Sequence, residues 1–529
     1  MTTPAPAPRP LGDLVGELEQ RGMLHTLLAP PGTSAAALQI RDVAFDSRSA
    51  APGSLFVAVP GEVADGHDFA ASAVERGAVA VIAERAIARL GVPQVLVGSA
   101  RSTLAVAAAW LYDFPSRSLG IVGVTGTDGK TTTSFLTRAM LAESGFPAGL
   151  ISTIEVIVGG ESRGYTGHTT PEAPVIQADL RAMALAGDRF AVVETTSHGL
   201  ALERVAQVAY DVAVLTNITH EHLDLHGTYE AYVAAKRSLF ERLGVSADNP
   251  DKGWPKSAII NAQDARATEF ADAARACGAR VLTFAVDAHV AADLTAVSVR
   301  DSAEGLRLRV RTPRWDEEVS IRLVGRFNAL NTLAALGVGE ALGLDPDAMR
   351  RGLAGLTHVT GRMVPINEGQ PFGVYVDFAH TPGALAAALD SLAPIAAARG
   401  GGVISLFGSP GARDIAKRPM MGRAAGERSR IVVLTEDDPR DEDRMSILEE
   451  IAAGAEEAGR RRDHDLFLVE DRTEAIGRAL ELARPGDVVL LAGKGHEPTL
   501  ASARGPIPWD EAAAARAALN GLGYVRAGG

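Results

Sequence analysis

The chain reads as an α/β protein of three domains, and two observations predict this. Strand, loop and helix alternate through its central and C-terminal parts, the pattern of parallel sheets joined by crossover helices. Its 529 residues also exceed what one hydrophobic core organises, which sets the expected number of domains at about three. The expected boundaries are 11–117, 118–353 and 354–529, after a Pro/Ala-rich, disordered leader of residues 1–10 that lacks an apolar signal core.

In the first domain, short β-like runs (Ser54-Leu-Phe-Val-Ala-Val59, Ala78-Val-Ala-Val-Ile82, Val95-Leu-Val97) alternate with Ala-rich helical stretches. The second opens with the strand Gly120-Ile-Val-Gly-Val124, then a loop and a helix from Thr132 to Ser144. Apolar strands follow at Phe190–Val193, Val212–Leu215 and Ser257–Ile260, each leading through a loop into a helix. Between Val281 and Leu323 a β-rich section, alternating in Leu306-Arg-Leu-Arg-Val310, is expected as an edge sheet of the same domain. The third domain repeats the theme on a smaller scale, with strands Gly373–Asp377, Gly402–Phe407, Arg430–Leu434 and Asp487–Ala492, and is expected to be Rossmann-like. In such sheets ligands bind at the carboxyl ends of the strands, where the polar motifs of this chain lie.

Composition bounds the partners. A hydrophobic content of 47% with 22% charged residues is that of a soluble, well-buried protein, and a net charge of -13 leaves no basic surplus for a nucleic-acid backbone. No apolar run reaches the ~20 residues needed to cross a bilayer. The single cysteine, Cys277, excludes an internal disulfide and suits a reducing cytoplasm. Of 52 basic residues only six are lysines: Lys130, Lys236, Lys252, Lys256, Lys417 and Lys494. Lys252 and Lys256, in a polar Pro-containing stretch, read as surface residues. The other four sit inside motifs, where a compact amine does what a guanidinium cannot imitate.

The first motif is Gly126-Thr-Asp-Gly-Lys-Thr-Thr132, between a buried strand and a helix. Backbone N–H groups and the positive helix end cradle phosphates there, Lys130 reaches the terminal phosphates, and Thr131 can bind Mg²⁺. Its spacing departs from the usual phosphate loop, since five residues rather than four separate Gly123 from Gly129. In Glu194-Thr-Thr-Ser-His198 a carboxylate at a strand end is a natural Mg²⁺ ligand, although Thr and Ser here also suit a helix cap. Asn217-Ile-Thr-His-Glu-His-Leu-Asp-Leu-His226 holds three histidines without cysteine or zinc-protease spacing. Tyr229-Glu-Ala-Tyr-Val-Ala-Ala-Lys236 is helix-periodic, and on spacing alone Lys236 would be a solvated helix lysine. In the third domain, Arg413, Lys417, Arg418 and Arg440 would together form a cationic bowl, with Asp437, Asp438 and Glu497 suited to an ammonium. A pocket of both signs fits a zwitterionic amino acid.

These motifs, in this order from Phe45 to Glu497, resemble the Mur ligases of bacterial cell-wall synthesis, and among them the tripeptide synthetases. Phe45-Asp-Ser-Arg-Ser, Gly53-Ser-Leu-Phe-Val-Ala-Val59 and Asp65-Gly-His-Asp-Phe69 look like the uridine-nucleotide domain of that subgroup. The resemblance implies an ATP-dependent ligase that adds a diamino acid to UDP-N-acetylmuramoyl-L-alanyl-D-glutamate, a cytoplasmic monomer using ATP and Mg²⁺. It implies ATP binding by Gly126, Thr127, Asp128, Gly129, Lys130, Thr131 and Thr132, with adenine contacts at Asn328 and Asn331 and closing contacts from Arg362, Asp377 and His380. Thr131, Glu194, His222 and Lys236 would serve the metal, Lys236 as a carbamate derived from CO₂. Lys130, Lys236, His222 and Glu194 form the implied catalytic set. Ser47, Thr169, Thr170, Ser197 and Arg204 match positions that hold the muramoyl-dipeptide substrate. Arg413, Asp437, Asp438, Pro439, Arg440, Gly493 and Glu497 match the pocket for the incoming amino acid.

The implied mechanism activates a carboxylate as an acyl phosphate, which the amine then attacks, with domain closure excluding water. Two departures bear on substrate. Asp437-Asp-Pro-Arg440 replaces the Asp-Asn-Pro-Arg usual for meso-diaminopimelate, and an added acid favours a bare ammonium, so L-lysine or L-ornithine is the expected amino acid, against the vote of Arg440. His168 stands where the family often has Asn. The competing readings are another ligase of the superfamily, such as a folylpolyglutamate synthetase; a phosphate-loop NTPase that does not ligate; and a structural partner that has lost activity.

Overall fold

In the computed structural model the described residues are 6–61, 64–164, 167–219, 226–245, 252–412 and 414–525, and they fall into two compact units. The first unit begins with a five-stranded sheet. Its strands are β1 (Leu24–Leu28), β2 (Asp42–Ala44), β3 (Ser54–Val57), β4 (Ala80–Ala83) and β5 (Gln94–Val97), in the spatial order β1-β5-β4-β3-β2. Only β1 runs antiparallel to its neighbour. Helices α1 (Leu11–Gln20) and α2 (Ala100–Leu111) pack Leu14, Leu18, Leu104 and Trp110 against one face. Arg9 and Pro10 pair with Ile40 and Gln39, so ordered structure begins inside the segment expected to be a disordered leader. Backbone pairing there outweighs the loose composition of the segment.

The same unit then builds a parallel sheet. Strand β6 (Gly120–Thr125) leads into α3 (Lys130–Glu143), and β7 (Ala148–Ile151) is followed by α4 (Ala173–Ala186), β10 (Phe190–Glu194) and α5 (Ser197–Ala201); between β7 and α4 lie the short strands β8 (Val156–Val158) and β9 (Glu161–Ser162). After them come β11 (Val212–Leu215), α6 (Tyr229–Val245), β12 (Ser257–Asn261), α7 (Ala267–Ala276) and β13 (Arg280–Ala285). The parallel strands lie in the order β7-β10-β6-β11-β12-β13, so the first strand sits mid-sheet between β10 and β11. All six residues of β6 are buried, which is why it reads as a continuous apolar run and not as an alternation. Each such Val or Ile contributes about 1.5–3 kcal/mol on burial. Gly120 and Gly123 are required by packing: a Cβ at either would strike the ring of Phe190 or of Tyr210. Gly123 thus belongs to the strand, and the turn expected to hold phosphate begins at Gly126, which accounts for the odd spacing.

The base of β6 is held by a buried acid. Asp211, fully buried, accepts from the N–H of Ile121 at 2.8 Å. It is paired with Lys252 at 2.5 Å and Lys256 at 2.9 Å. The two lysines expected on the surface are therefore largely covered. Burial pulls the Lys252 amine down to about 8 despite its carboxylate partner. Their polar, Pro-containing context gave no sign of an acid about 40 residues earlier.

Strand β14 (Leu294–Ser302) starts by pairing in parallel with the end of β13. Most of it, with β15 (Gly305–Arg311) and β16 (Asp316–Ile321), belongs to the second unit, where β15 and β16 are antiparallel. The alternation at Leu306–Val310 matches a sheet with one buried face, Leu306, Leu308 and Val310 being buried.

The second unit's main sheet holds β17 (Gly373–Asp377), β18 (Val403–Phe407), β19 (Ile431–Leu434), β20 (Leu466–Leu468) and β21 (Val488–Ala492), all parallel, in the order β17-β21-β18-β19-β20. Val364–Pro365 adds an antiparallel edge beside β17. One face is covered by α8 (Pro382–Ala397), α9 (Lys417–Arg428) and α10 (Arg444–Glu457). The other is covered by α11 (Arg472–Glu481) and α12 (Glu511–Gly521). This is the Rossmann-like arrangement expected, and it places the ends of β17, β18, β19 and β21 along one edge.

Candidate active site

At the carboxyl end of β6 the chain turns through Gly126 and Gly129, at φ +143° and +84°, and enters α3. Both values are accessible to glycine and strained for other residues. The helix starts at Lys130, two residues before the expected Thr132, so Lys130 and Thr131 ride on its first turn. The loop is braced from β11: Asn217 accepts from Asp128 N–H at 2.9 Å, and Thr216 Oγ1 donates to Asp128 O at 2.6 Å. Thr127 shares a hydrogen bond of 2.8 Å with the Tyr232 hydroxyl. The Lys130 ammonium donates to the carbonyls of Gly126 at 3.1 Å and Thr127 at 2.8 Å.

Lys236 is the larger departure from a spacing-based reading. It is 1% exposed, its ammonium donates to Gly126 O at 2.7 Å, and it stands 4.7 Å from the centroid of the Tyr232 ring. The lysine that periodicity would place in solvent lies behind the phosphate loop. Glu194, fully buried at the end of β10, accepts from the hydroxyls of Thr131 at 3.1 Å and Thr153 at 3.0 Å. A carboxylate flanked by two hydroxyls is a hard-oxygen donor set of the kind Mg²⁺ takes. Thr196 meanwhile caps α5, accepting from Gly199 N–H, as the cap reading of this motif expected.

Around Glu194 the other predicted residues gather. Thr170 donates to Glu194 O at 2.8 Å, and Thr153 bonds Thr169 at 2.9 Å. Arg204 reaches Thr170 O at 3.0 Å and pairs with Glu172 at 2.8 Å. Ser197 is 1% exposed and its hydroxyl has no hydrogen-bond partner among the described residues. Ser47 is buried in a short turn capped by Asp46 in the first sheet's domain. His222 lies outside the described residues.

In the second unit, Asn331 donates to Asn328 Oδ1 at 2.9 Å, and Asn328 to Val324 O at 2.8 Å. Asp377, at the end of β17, accepts from Met363 and Ala379 N–H, both at 2.8 Å; burial pushes its carboxyl up and Arg362 opposes this. The Arg362 guanidinium lies over Phe378, and His380 bonds Phe378 O at 2.8 Å. His496, packed on Phe378, is driven down to about 3 by burial, with Arg362, His380 and Lys494 adding positive charge.

At the ends of β19 and β21 three carboxylates surround one ammonium. Lys494, with a wholly buried side chain, is 2.6 Å from Glu497, 2.8 Å from Asp438 and 3.9 Å from Asp437. Burial opposes its charge, but Asp437, Glu497 and Asp438 outweigh that and hold the ammonium above its usual range. Gly493, at φ +107°, leaves room for the Asp437 carboxylate, which a Cβ there would strike. Asp438 and Arg440 on either side of Pro439 are both left-handed, at φ +51° and +54°, and Arg440 donates to Gly411 O at 3.2 Å.

Three family models match the chain: "Mur ligase family, catalytic domain" over residues 39–109, "Mur ligase middle domain" over residues 124–339, and "Mur ligase, glutamate ligase domain" over residues 361–495. A UDP-N-acetylmuramyl-tripeptide synthetase of Roseiflexus sp. (strain RS-1) is 47% identical over 497 residues, 92% of this chain and 96% of the relative. The chain belongs to the Mur ligase family. A UDP-N-acetylmuramoyl-L-alanyl-D-glutamate--2,6-diaminopimelate ligase of Solibacter usitatus is 40% identical over 514 residues, 96% of this Mur ligase and 99% of the relative. A solved structure carrying the same ligase name superposes with a TM-score of 0.65 at 29% identity, covering 94% of this Mur ligase and 98% of that chain. It is thus an ATP-dependent ligase of the acid–amino-acid class, with the family's three-domain architecture.

Among the described residues, two members of the cationic bowl expected of this Mur ligase are engaged elsewhere. Arg418 is fully buried and committed: it bonds both oxygens of Glu442 at 2.7 and 2.8 Å, and Glu450 at 2.9 Å. Lys417 donates to His380 O at 3.0 Å, and Arg413 lies outside the described residues. The reason is physical: a buried guanidinium needs carboxylates, and α10 supplies Glu450 with Glu442 just before it. One contributor went unseen in the sequence, as did the partners of another. Thr153, an ordinary threonine after β7, has no local signature. Lys494 was visible as a rare lysine inside a Gly-rich motif, but its three partners lie in two segments.

Proposed function

We propose that this Mur ligase adds a diamino acid as the third residue of the peptide on UDP-N-acetylmuramoyl-L-alanyl-D-glutamate, forming ADP and phosphate. The relatives named as tripeptide synthetase and as diaminopimelate ligase support that substrate class. The observation that carries the reading is the pairing at the ends of β6 and β10, where a phosphate loop backed by Lys236 meets the buried Glu194.

The D-Glu side-chain carboxylate is a poor electrophile, so it attacks the terminal phosphate of ATP, and ADP departs. Lys130 and the N–H groups of residues 126–132 counter the charge that gathers there. The amine of the incoming amino acid then attacks the acyl carbon, and phosphate leaves through a tetrahedral intermediate. Glu194 and Thr131 fit Mg²⁺, with His222 as the expected further ligand, and the bound ion would offset negative charge on the phosphates. Lys236 is the residue for carbamylation: its neutral amine forms an N–C bond to CO₂ and releases a proton, exchanging a cation for an anion. Thr169, Thr170, Ser197 and Arg204 hold the peptide end of the substrate, and the uridine end falls to residues 11–117 through Ser47. Residues 118–353 bind ATP, with Asn328 and Asn331 at the adenine and Arg362, Asp377 and His380 at the nucleotide. Residues 354–529 take the amino acid, through Arg413, Asp437, Asp438, Pro439, Arg440, Gly493 and Glu497. A nucleotide-linked substrate and ATP put the reaction in the cytoplasm, and no helix among the described residues is long and apolar enough to cross a membrane.

The charge balance of the last pocket selects the amino acid. Asp438 puts an acid where the usual motif has a neutral amide, and a carboxylate beside Asp437 and Glu497 favours a side chain ending in a bare ammonium, as in L-lysine or L-ornithine. Arg440 favours meso-diaminopimelate, whose distal end adds a carboxylate. The test is an assay with ATP, the UDP-muramoyl-dipeptide and each amino acid in turn. ADP and phosphate should form in step with a new amide, fastest with lysine or ornithine. Turnover of ATP with no amide would refute the ligase reading, and a preference for diaminopimelate would refute only the selection.

A further inference from the structure

We infer that Lys494 is a positioning and specificity-determining residue for the incoming amino acid, acting through Asp438 and Glu497 without contacting the substrate. The inference rests on the proposed amino-acid pocket. Lys494 has a wholly buried side chain, whereas those of Asp438 and Glu497 are 21% and 30% exposed, so the ammonium is sealed beneath two carboxylates that reach solvent. It engages Oδ1 of Asp438 at 2.8 Å and Oε2 of Glu497 at 2.6 Å. Ala501 N–H also donates to Asp438 Oδ1, at 2.7 Å. Oδ2 of Asp438 and Oε1 of Glu497 have no hydrogen bond among the described residues. Each carboxylate is therefore fastened by one oxygen and offers the other, and two such oxygens make a seat for a substrate ammonium.

The second consequence is electrostatic. Burial pushes the Glu497 carboxyl up, Lys494 opposes that, and Asp437 and Asp438 reinforce the rise. Among the described residues His496, Arg440 and Arg472 also stand by this cluster; His496 is held neutral by burial, Arg440 donates to Gly411 O, and Arg472 is neutralised by Glu511 at 2.8 Å. Without the lysine, Glu497 would hold its proton to higher pH and lose its attraction for an ammonium. Lys494 thus both aims the two carboxylates and favours the ionised form of Glu497.

The experiment compares the full-length wild type with Lys494→Met and Lys494→Arg, using ATP, the UDP-muramoyl-dipeptide and whichever diamino acid the wild type prefers. K494M should raise KM for the diamino acid about tenfold or more at pH 7.5, the effect expected of an unfastened charge pair. KM for ATP and for the UDP-dipeptide should stay within about twofold, a split that general damage would not produce. The acid limb of kcat/KM for the diamino acid should move to higher pH in K494M, and K494R should move it back. An unchanged KM for the diamino acid, or an equal rise for all three substrates, overturns the inference. Lys494→Gln, which can bond both carboxylates without charge, replaces K494M if that variant does not fold, and is read by the same outcomes. If the wild type ligates no diamino acid at all, the failure lies with the proposed function and not with Lys494.

Discussion

The Lys236 ammonium donates to the carbonyl of Gly126 at 2.7 Å, joining the middle of α6 to the first residue of a loop 110 positions earlier. An exposed helix lysine has no reason to be 1% accessible, so its position behind the loop demands a role. Replacing it with Ala or Arg is expected to lower kcat by about 10²–10³-fold, the scale of losing one group that manages charge in a transition state. The arginine variant decides the chemistry, since it keeps the cation but cannot form a carbamate. Wild-type turnover by K236R would eliminate carbamylation from the reaction.

Gly126 sets a second expectation. A Cβ there would overlap Thr216 Oγ1 and lie 2.9 Å from Asn217 O, and the backbone is at φ +143°. Gly126→Ala should deform the loop at a cost of about 1–3 kcal/mol, weakening ADP binding by about tenfold or more. Calorimetric titration of ADP gives the answer, and unaltered affinity would mean that the loop does not grip phosphate.

Asp438→Asn tests the selection of amino acid. Removing one negative charge beside Lys494 should raise the ratio of kcat/KM for diaminopimelate over lysine by about tenfold, or ~1.4 kcal/mol. Competition between the two amino acids in one reaction measures that ratio. An unchanged ratio would remove Asp438 from the selection.

Asp179 on α4 gives a prediction about stability. It is largely buried, 3.8 Å from Arg163, and its Oδ2 has no hydrogen-bond partner among the described residues. Burial raises its carboxyl from 3.8 to about 6, against the pull of Arg163. A carboxyl raised on folding favours the folded state while protonated. That contribution is complete below pH ~3.8 and is lost as pH rises through about 6. Asp179→Asn cannot ionise, so at pH 7.5 it should be more stable than the wild type by about 1–3 kcal/mol. The difference should close by pH ~4, as paired thermal melts at the two pH values would reveal.

Much of this was legible in the chain itself. Buried parallel strands announce themselves as apolar runs, so β6, β10, β11, β12, β17, β18, β19 and β21 lie within a residue or two of their expected places, whereas no expectation covered the three-residue β20. Strand-end placement also found Glu194 and the Asp437–Arg440 segment. Polar pairing across distance was not legible. Lys252 and Lys256 read as solvated because nothing near them names Asp211, and Arg418 read as available because its partners, Glu450 on α10 and Glu442 just before it, lie beyond an intervening strand. Periodicity reports which face of an element is covered; it carries no record of which charge a distant segment brings to that face. The leader erred in the same way, since the pairing of Arg9 with Ile40 depends on a strand thirty residues later.

The clamp on Asp211 bears on how this enzyme meets its nucleotide. Strand β6 is anchored at its start by the Ile121 N–H to the Asp211 carboxylate, which two lysines hold in place, and at its end by the braces on Asp128 from Thr216 and Asn217. A loop suspended from a strand fixed at both ends has little freedom left to surrender. The ordering entropy of the phosphate cradle is thus met once, when the chain folds, and not again at every catalytic cycle. Loosening the far end, for instance through Lys252→Met, would then be felt as slower or weaker capture of ATP by residues that the substitution never touches.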